Sequence, residues 1–336
     1  MIERHEPVWE GREHKFGAGA GAALRLAAAE VRLRRPLEND NENHSQASAG
    51  ESDSENHSHF DAVLVGYPGH FDLGAARRAA RGRPVVFNPL VSLADTLVDD
   101  RARFKPNGVA ARVLRRIDRR AVAAADLLVA DTAAQAELFA SLGARRVEVC
   151  FVGAEERVFR PGWVPPDAGL TALFVGKLIP LHGLETILAA ARLAPDVRFR
   201  IVGSGQLDHL LADRSPNVEH VPWVGYEQLP GELHRASCAL GIFGTSAKAQ
   251  RVIPNKVFQA IACGTPVVTA DTPAIRELLR DGESAVLVRP GDPEALAEGL
   301  RRVTPAIGEG GLAAYQAHAS EAVLGARWRD LIQSLL

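Results

Sequence analysis

Cysteine and lysine are both scarce in this chain of 336 residues. The three cysteines, Cys150, Cys238 and Cys263, sit inside apolar runs and match neither a metal-ligand spacing nor a disulfide framework, so buried thiols in a reducing compartment are expected. Five lysines stand among 39 Lys+Arg, which makes each one worth inspecting. Against 41 Asp+Glu the net charge is -2, which excludes wholesale nucleic-acid binding through charge. No apolar run approaches the ~20 residues that span a bilayer. The opening "MIERHEPVWEGREHK" is too polar for a signal peptide, so a soluble cytoplasmic protein is the expectation. A three-glycine dinucleotide fingerprint is also missing: "IVGSGQL" supplies Gly203 and Gly205 alone, which argues against a dehydrogenase.

What is present is an alternation of short apolar strands with helices. "AVLV" (62–65), "RPVVFN", "DLLVAD" and "RVEVCFVG" read as four strands. Between them lie a helix through "LGAARRAARG", a basic helix over 107–125, and "TAAQAELFASLG" with Thr132 near its start and Gly143 at its end. Ahead of them, residues 19–35 read as a helix and "MIERHEPVWEG" as no strand. Residues 38–59 carry six acids and no Lys or Arg, and are expected to be a disordered, solvated spacer; metal binding by His44, His57 and His59 is the alternative.

The Pro/Gly-rich "RPGWVPPDAG" (160–169) interrupts the pattern, which then restarts with strands at "TALFVG", "VRFRIVG", "NVEHVP", "CALGIFG", "PVVTA" and "AVLV". Helices are expected at 183–194, 226–236, 255–263, 273–280 and 292–303. The predicted organisation is a first α/β domain over 1–160, a linker at 161–169, a second over 170–320, and a terminal helix at 321–336 returning toward the first. Both domains are doubly wound parallel sheets, and ligands of such pairs bind in the cleft at the strands' carboxyl ends.

Three loops of the second domain suit a diphosphate. "VGKLIPLHGLE" places Gly176, Lys177 and His182 between a strand end and a helix N-terminus, where charge and amide dipoles act on one anion. "VGYEQLPGELHRAS" offers a turn from Val224 to Tyr226 that passes beside a base. "GIFGTSAKAQRVIPNKVFQAIACGTPVV" combines the small Thr245 and Ser246 with the cations Lys248, Arg251 and Lys256. There Pro254 and Asn255 open a helix on which Gln259 shares a face with Lys256.

In this order, with "VPWVGYEQLPGELHRAS" and "ADTPAIRELLRDGESAVLVRPGDPEALAEGL", these stretches resemble the C-terminal domain of GT-B-fold, family-4-type retaining glycosyltransferases, from about Val152 to Val303. The resemblance implies a GT-B fold and sugar transfer from a nucleotide-diphosphate sugar, independent of metal and without a cofactor. Lys177 matches a basic diphosphate ligand and His182 a lysine sharing that role. Gln259 matches the second acid of an E-x7-E pattern, which holds the ribose hydroxyls, and Arg251 falls at the first. An amide accepts one hydroxyl bond and donates another, where a carboxylate accepts two.

The first domain departs further from the pattern: its opening reads as truncated, and Asn88 stands where a histidine is usual. Asp95 or His70 is expected to line the cleft instead. The basic helix, with Arg112, Arg115, Arg116, Arg119 and Arg120, is either a solvated face or a peripheral membrane contact at 101–120. The expected partners are a nucleotide sugar and a glycan, lipid-linked or small-molecule acceptor. The alternative is a degenerate relative that binds the donor without turnover.

Overall fold

The computed structural model describes residues 2–5, 31–34, 60–166 and 169–336; the acidic segment 38–59 with its histidines lies outside them. The first sheet has six parallel strands, β1 (Ile2–His5), β2 (Val31–Arg34), β3 (Ala62–Gly66), β4 (Val85–Asn88), β5 (Leu127–Ala130) and β6 (Val147–Val149), ordered β2-β1-β3-β4-β5-β6. Two readings of the opening are corrected here. Residues 2–5 form a strand, pairing with β3 from Ile2↔Ala62 to His5↔Val65, and residues 31–34 form another rather than the end of a helix. The main-chain groups of neighbouring strands recruit these segments whatever their side-chain polarity, which composition alone does not reveal.

On one face of this sheet α1 (Leu73–Ala80), α2 (Val109–Ala124) and α3 (Ala133–Ser141) bury Val63, Val65, Phe87, Leu128 and Phe139. Thr132 caps α3 by accepting from Gln135 N at 3.0 Å. The opposite face is covered by the last helix, α9 (Glu321–Gln333), whose Leu324, Trp328, Leu331 and Ile332 pack on Leu64, Val86, Leu127 and Val129.

The second sheet contains β7 (Thr171–Val175), β8 (Arg198–Val202), β9 (Val218–Val221), β10 (Cys238–Leu240), β11 (Val267–Ala270) and β12 (Val286–Val288), all parallel, ordered β12-β11-β10-β7-β8-β9. Strand order reverses between β7 and β10, so the crevice outside their carboxyl ends is where a ligand site is expected. The surrounding helices are α4 (Leu184–Leu193), α5 (Leu229–Arg235), α6 (Asn255–Cys263), α7 (Pro293–Leu300) and α8 (Pro305–His318). Cys150, Cys238 and Cys263 are buried free thiols.

Two helices differ from expectation. The helix expected at 273–280 is only a short turn, Ile275–Glu277, because Thr272 and Ser284 oxygens accept from Ile275 N and Arg280 N and divert the backbone. The sequence signal for α8 was masked by Gly308, Gly310 and Gly311. Side chains at these positions would run into Gly264, Glu283 and Ile261, so these glycines permit close packing on α6 and the neighbouring turn.

Candidate functional site

At the end of β7 the chain turns through Gly176 at φ 146°, opposite Gly203 at φ 137°. A side chain on Gly203 would strike the Gly176 carbonyl, and one on Gly205 would meet Leu178 O at 2.6 Å. A Cβ on Gly176 would lie 2.9 Å from Lys256 Nζ. These glycines therefore serve close approach of backbone and of one cation.

Lys177 is exposed at the mouth of the crevice, and its carbonyl accepts from Nδ1 of His182. That bond fixes the tautomer with the proton on Nδ1. His182 is buried edge-on against Phe174, with centroids 5.5 Å apart. Burial, and next the Lys256 charge, push its pKa well below 6.5. Instead of a second cation, the crevice holds a neutral imidazole here.

Helix α6 follows Pro254, which is extended and sits just outside the helix, and it ends at Gly264 in the left-handed region. Val257, Phe258, Ala260, Ile261, Ala262 and Cys263 are buried, while Asn255 is exposed at the first turn. Lys256 and Gln259 share the remaining side and line a cavity of about 10 Å³, together with Leu173, Val175, Leu229 and Leu233. Lys256 Nζ lies 3.6 Å from the Phe174 ring centroid. It is buried without a hydrogen-bond partner among the described residues, and burial pushes its pKa well below 10.5. A buried ammonium with no counter-ion carries a penalty of several kcal/mol, which an anionic ligand would remove.

The other cations of the loop after β10 face the first domain. Arg251 Nη2 donates to Asp95 Oδ1 at 2.6 Å, and Lys248 Nζ donates to Thr96 Oγ1 at 2.8 Å. Thr132 Oγ1 donates to Arg251 O at 2.5 Å. Glu277 accepts from Ala133 N and Ala134 N at 2.7 and 3.1 Å, placing a second-domain carboxylate on the N-terminus of α3. The structure thus brings Asp95 and Arg251 together as an interdomain pair. Thr245 is exposed on the rim, and Val224 packs on the second core.

Lys248, Thr96, Asp131 and Glu277 complete this interface, and sequence reading assigned none of them a partner. Asp131 is buried, and burial first, then the Glu277 charge, raise its pKa to about 7. A carboxyl raised in the folded state adds stability below about pH 4, and that stability is lost as pH rises through about 7. Melts of Asp131→Asn between pH 4 and 8 should lack this decline; parallel curves for variant and wild type would refute it.

His70 is buried, with Nε2 3.6 Å from Asp118, Nδ1 3.3 Å from Pro68 O and its ring edge-on to Phe87. Asn88 ties adjacent strands by donating to Val129 O at 2.8 Å. Among the described residues, no three His, Cys, Asp or Glu side chains form a metal-holding group.

Comparison with known proteins matches residues 169–304 to a family of glycosyl transferases, group 1, and residues 7–155 to a glycosyl transferase 4-like domain. The chain is 31% identical over 283 residues to a D-inositol 3-phosphate glycosyltransferase of Nocardioides sp., covering 73% of this chain and 60% of that relative's length. Among solved structures it is similar to sucrose-phosphate synthase of Thermosynechococcus elongatus, with a TM-score of 0.73, 15% identity and coverage of 99% and 98% of the two chains. It is also similar to HepE of Anabaena in complex with UDP-glucose, with a TM-score of 0.68, 16% identity and 99% of each chain covered.

Proposed function

We propose, from the premise that this chain belongs to the group 1 glycosyltransferases of the GT-B fold, that it moves a sugar from a nucleotide-diphosphate sugar to an acceptor with retention and without a metal. The observation that carries this reading is Lys256: a buried cation lacking a counter-ion, opened to the crevice by Gly176, at the point where strand order reverses. The diphosphate lies against Lys256 and Lys177 and at the N-terminus of α4, whose unpaired amides favour an anion. His182, neutral, offers an imidazole nitrogen rather than charge.

The second-domain loop 241–254 holds Lys248 and Arg251 but no acid, which fits front-face attack without a protein nucleophile. The bond from the anomeric carbon to the diphosphate oxygen breaks as the acceptor oxygen bonds on the same face. The acceptor's proton passes to the departing phosphate oxygen. The acceptor class includes glycans, lipid-linked saccharides and small molecules such as inositol phosphate, for which relatives are named.

A panel of UDP-, GDP- and dTDP-sugars tests the reading. One donor at a hundred times its Kd should stabilise the fold by about 2.7 kcal/mol, a rise of several degrees. No shift with any donor at millimolar concentration would overturn the reading, and a shift without turnover would select the binding-only alternative.

On the acceptor side, Arg112, Arg116, Arg119 and Arg120 are exposed along α2, and Phe71, Val109 and Val113 are 71%, 69% and 51% exposed beside them. Cations beside exposed apolar groups suit an anionic lipid surface. Sedimentation with anionic vesicles should capture the protein and lose it on reversing three of these arginines to glutamate; equal capture would refute the contact.

A further inference from the structure

The chain crosses between its two sheets twice, from β6 to β7 and from α8 to α9. At the crossings Glu156 and Glu321 hold each other. Glu321 Oε1 accepts from Glu156 N at 3.1 Å, and Glu156 Oε1 accepts from Glu321 N at 2.9 Å. Glu156 Oε1 also lies 3.2 Å from the Tyr315 hydroxyl of α8. Glu321 opens α9, so the Glu156 carboxylate sits on a helix N-terminus and its bond is charge-assisted. Each bond joins one crossing to the other, which makes the pair a pin between the domains.

A second set of contacts lies at the carboxyl ends of β4 and β5, on the rim of the first sheet. There second-domain groups take up polar atoms of the first domain. Arg251 holds Asp95, Lys248 holds Thr96, the Arg251 carbonyl accepts from Thr132, and Glu277 accepts from the Ala133 and Ala134 amides. The first-domain side is rigid, because the buried Asp118 accepts from Ser92 Oγ, Leu93 N and Ala94 N at 2.7, 2.9 and 2.9 Å, just ahead of Asp95. Across this seam Leu90 packs on the second core. On the same segments Asp95 Oδ2, both Asp100 oxygens and Asp131 Oδ1 are buried with no hydrogen-bond partner among the described residues, and parting the domains returns them to water. A polar, incompletely paired seam is the kind that opens, unlike a shared apolar core.

We propose that Lys248, Arg251 and Glu277 form an autoinhibitory latch. It covers the first domain's strand ends in the unliganded chain, and a ligand reaching them has to release it. Tying both crossings at one place leaves rotation about the Glu156–Glu321 pin as the motion that parts the latch.

The test is a spin-label distance measurement on the full chain, with one label pair across the latch and one across the pin. The exposed positions are Glu137→Cys with Arg280→Cys for the latch, and Arg157→Cys with Ala322→Cys for the pin. Unliganded wild type should give one short distance at each pair. Combining Asp95→Ala with Lys248→Met should lengthen the latch distance by roughly 5 Å or more, the scale of a domain rotation, and leave the pin distance unchanged. Glu277→Lys, which sets a cation against the N-terminus of α3, should do the same by itself and leaves the buried groups in place. A latch distance unchanged in Glu277→Lys would overturn the inference. So would wild type that already shows the long distance, or lengthening at both pairs, which would mean separation without a pin.

Discussion

Replacing Lys256 with methionine is expected to make the unliganded protein more stable while removing donor binding. The ammonium is buried over the Phe174 ring with no hydrogen-bond partner among the described residues. Exchanging a buried, uncompensated charge for an apolar side chain of similar length commonly stabilises by about 1–4 kcal/mol. For this chain that is a rise of a few degrees in Tm. In the complex the same nitrogen meets a diphosphate away from water, where losing it weakens binding by about 100-fold, roughly 3 kcal/mol.

The pH dependence has a definite sign. Because burial depresses the Lys256 pKa, the unfolded chain binds more protons between that value and 10.5, so wild-type stability rises with pH across this window. Lys256→Met should lack the rise. Donor binding should take up a proton once the pH exceeds the depressed pKa, measurable by calorimetry in buffers of different ionisation enthalpy. Unchanged affinity in Lys256→Met would remove the foundation of the proposed function.

The second large effect is expected at the interdomain pair. Asp95→Ala should destabilise the protein by about 3 kcal/mol, since it leaves a guanidinium, only 21% exposed, without its carboxylate. Arg251→Met should have a similar effect, because it strands an Asp95 side chain that is 8% exposed. The double variant should lose no more than either single variant, about 3 kcal/mol, giving a coupling of about 3 kcal/mol in a double-mutant cycle read by urea denaturation. Strict additivity would show that the two side chains do not act as a pair. Donor affinity is expected to survive Asp95→Ala, since Arg251 faces the first domain and Lys256 and Lys177 face the crevice.

Much of the framework was readable from local pattern. The short apolar runs of the second domain fell on its six strands, and the span of α6 was legible from Pro254 before it and Gly264 after it. These features are local: strand and helix periodicity, caps and breakers act within a few residues. The opening strand and β2 were not legible, because strands made by pairing depend on partners about 30 and 60 residues away. Helix α8 was hidden by glycines whose purpose is contact with α6 rather than turning.

The site divides in the same way. The sequence by itself determined that glycines, a loop lysine and a helix bearing Lys256 and Gln259 meet at strand ends, since each lies on the connection that leaves a strand's carboxyl end. It could not determine which cations are available to a ligand. Tertiary structure decided that Arg251 is held by Asp95 and Lys248 by Thr96, that burial lowers the His182 pKa, and that Lys256 Nζ is buried with no hydrogen-bond partner among the described residues. The physical reason is that a side chain's charge state and partners follow from burial and from groups 152 or 156 residues distant, and those are fixed only when the two sheets pack together.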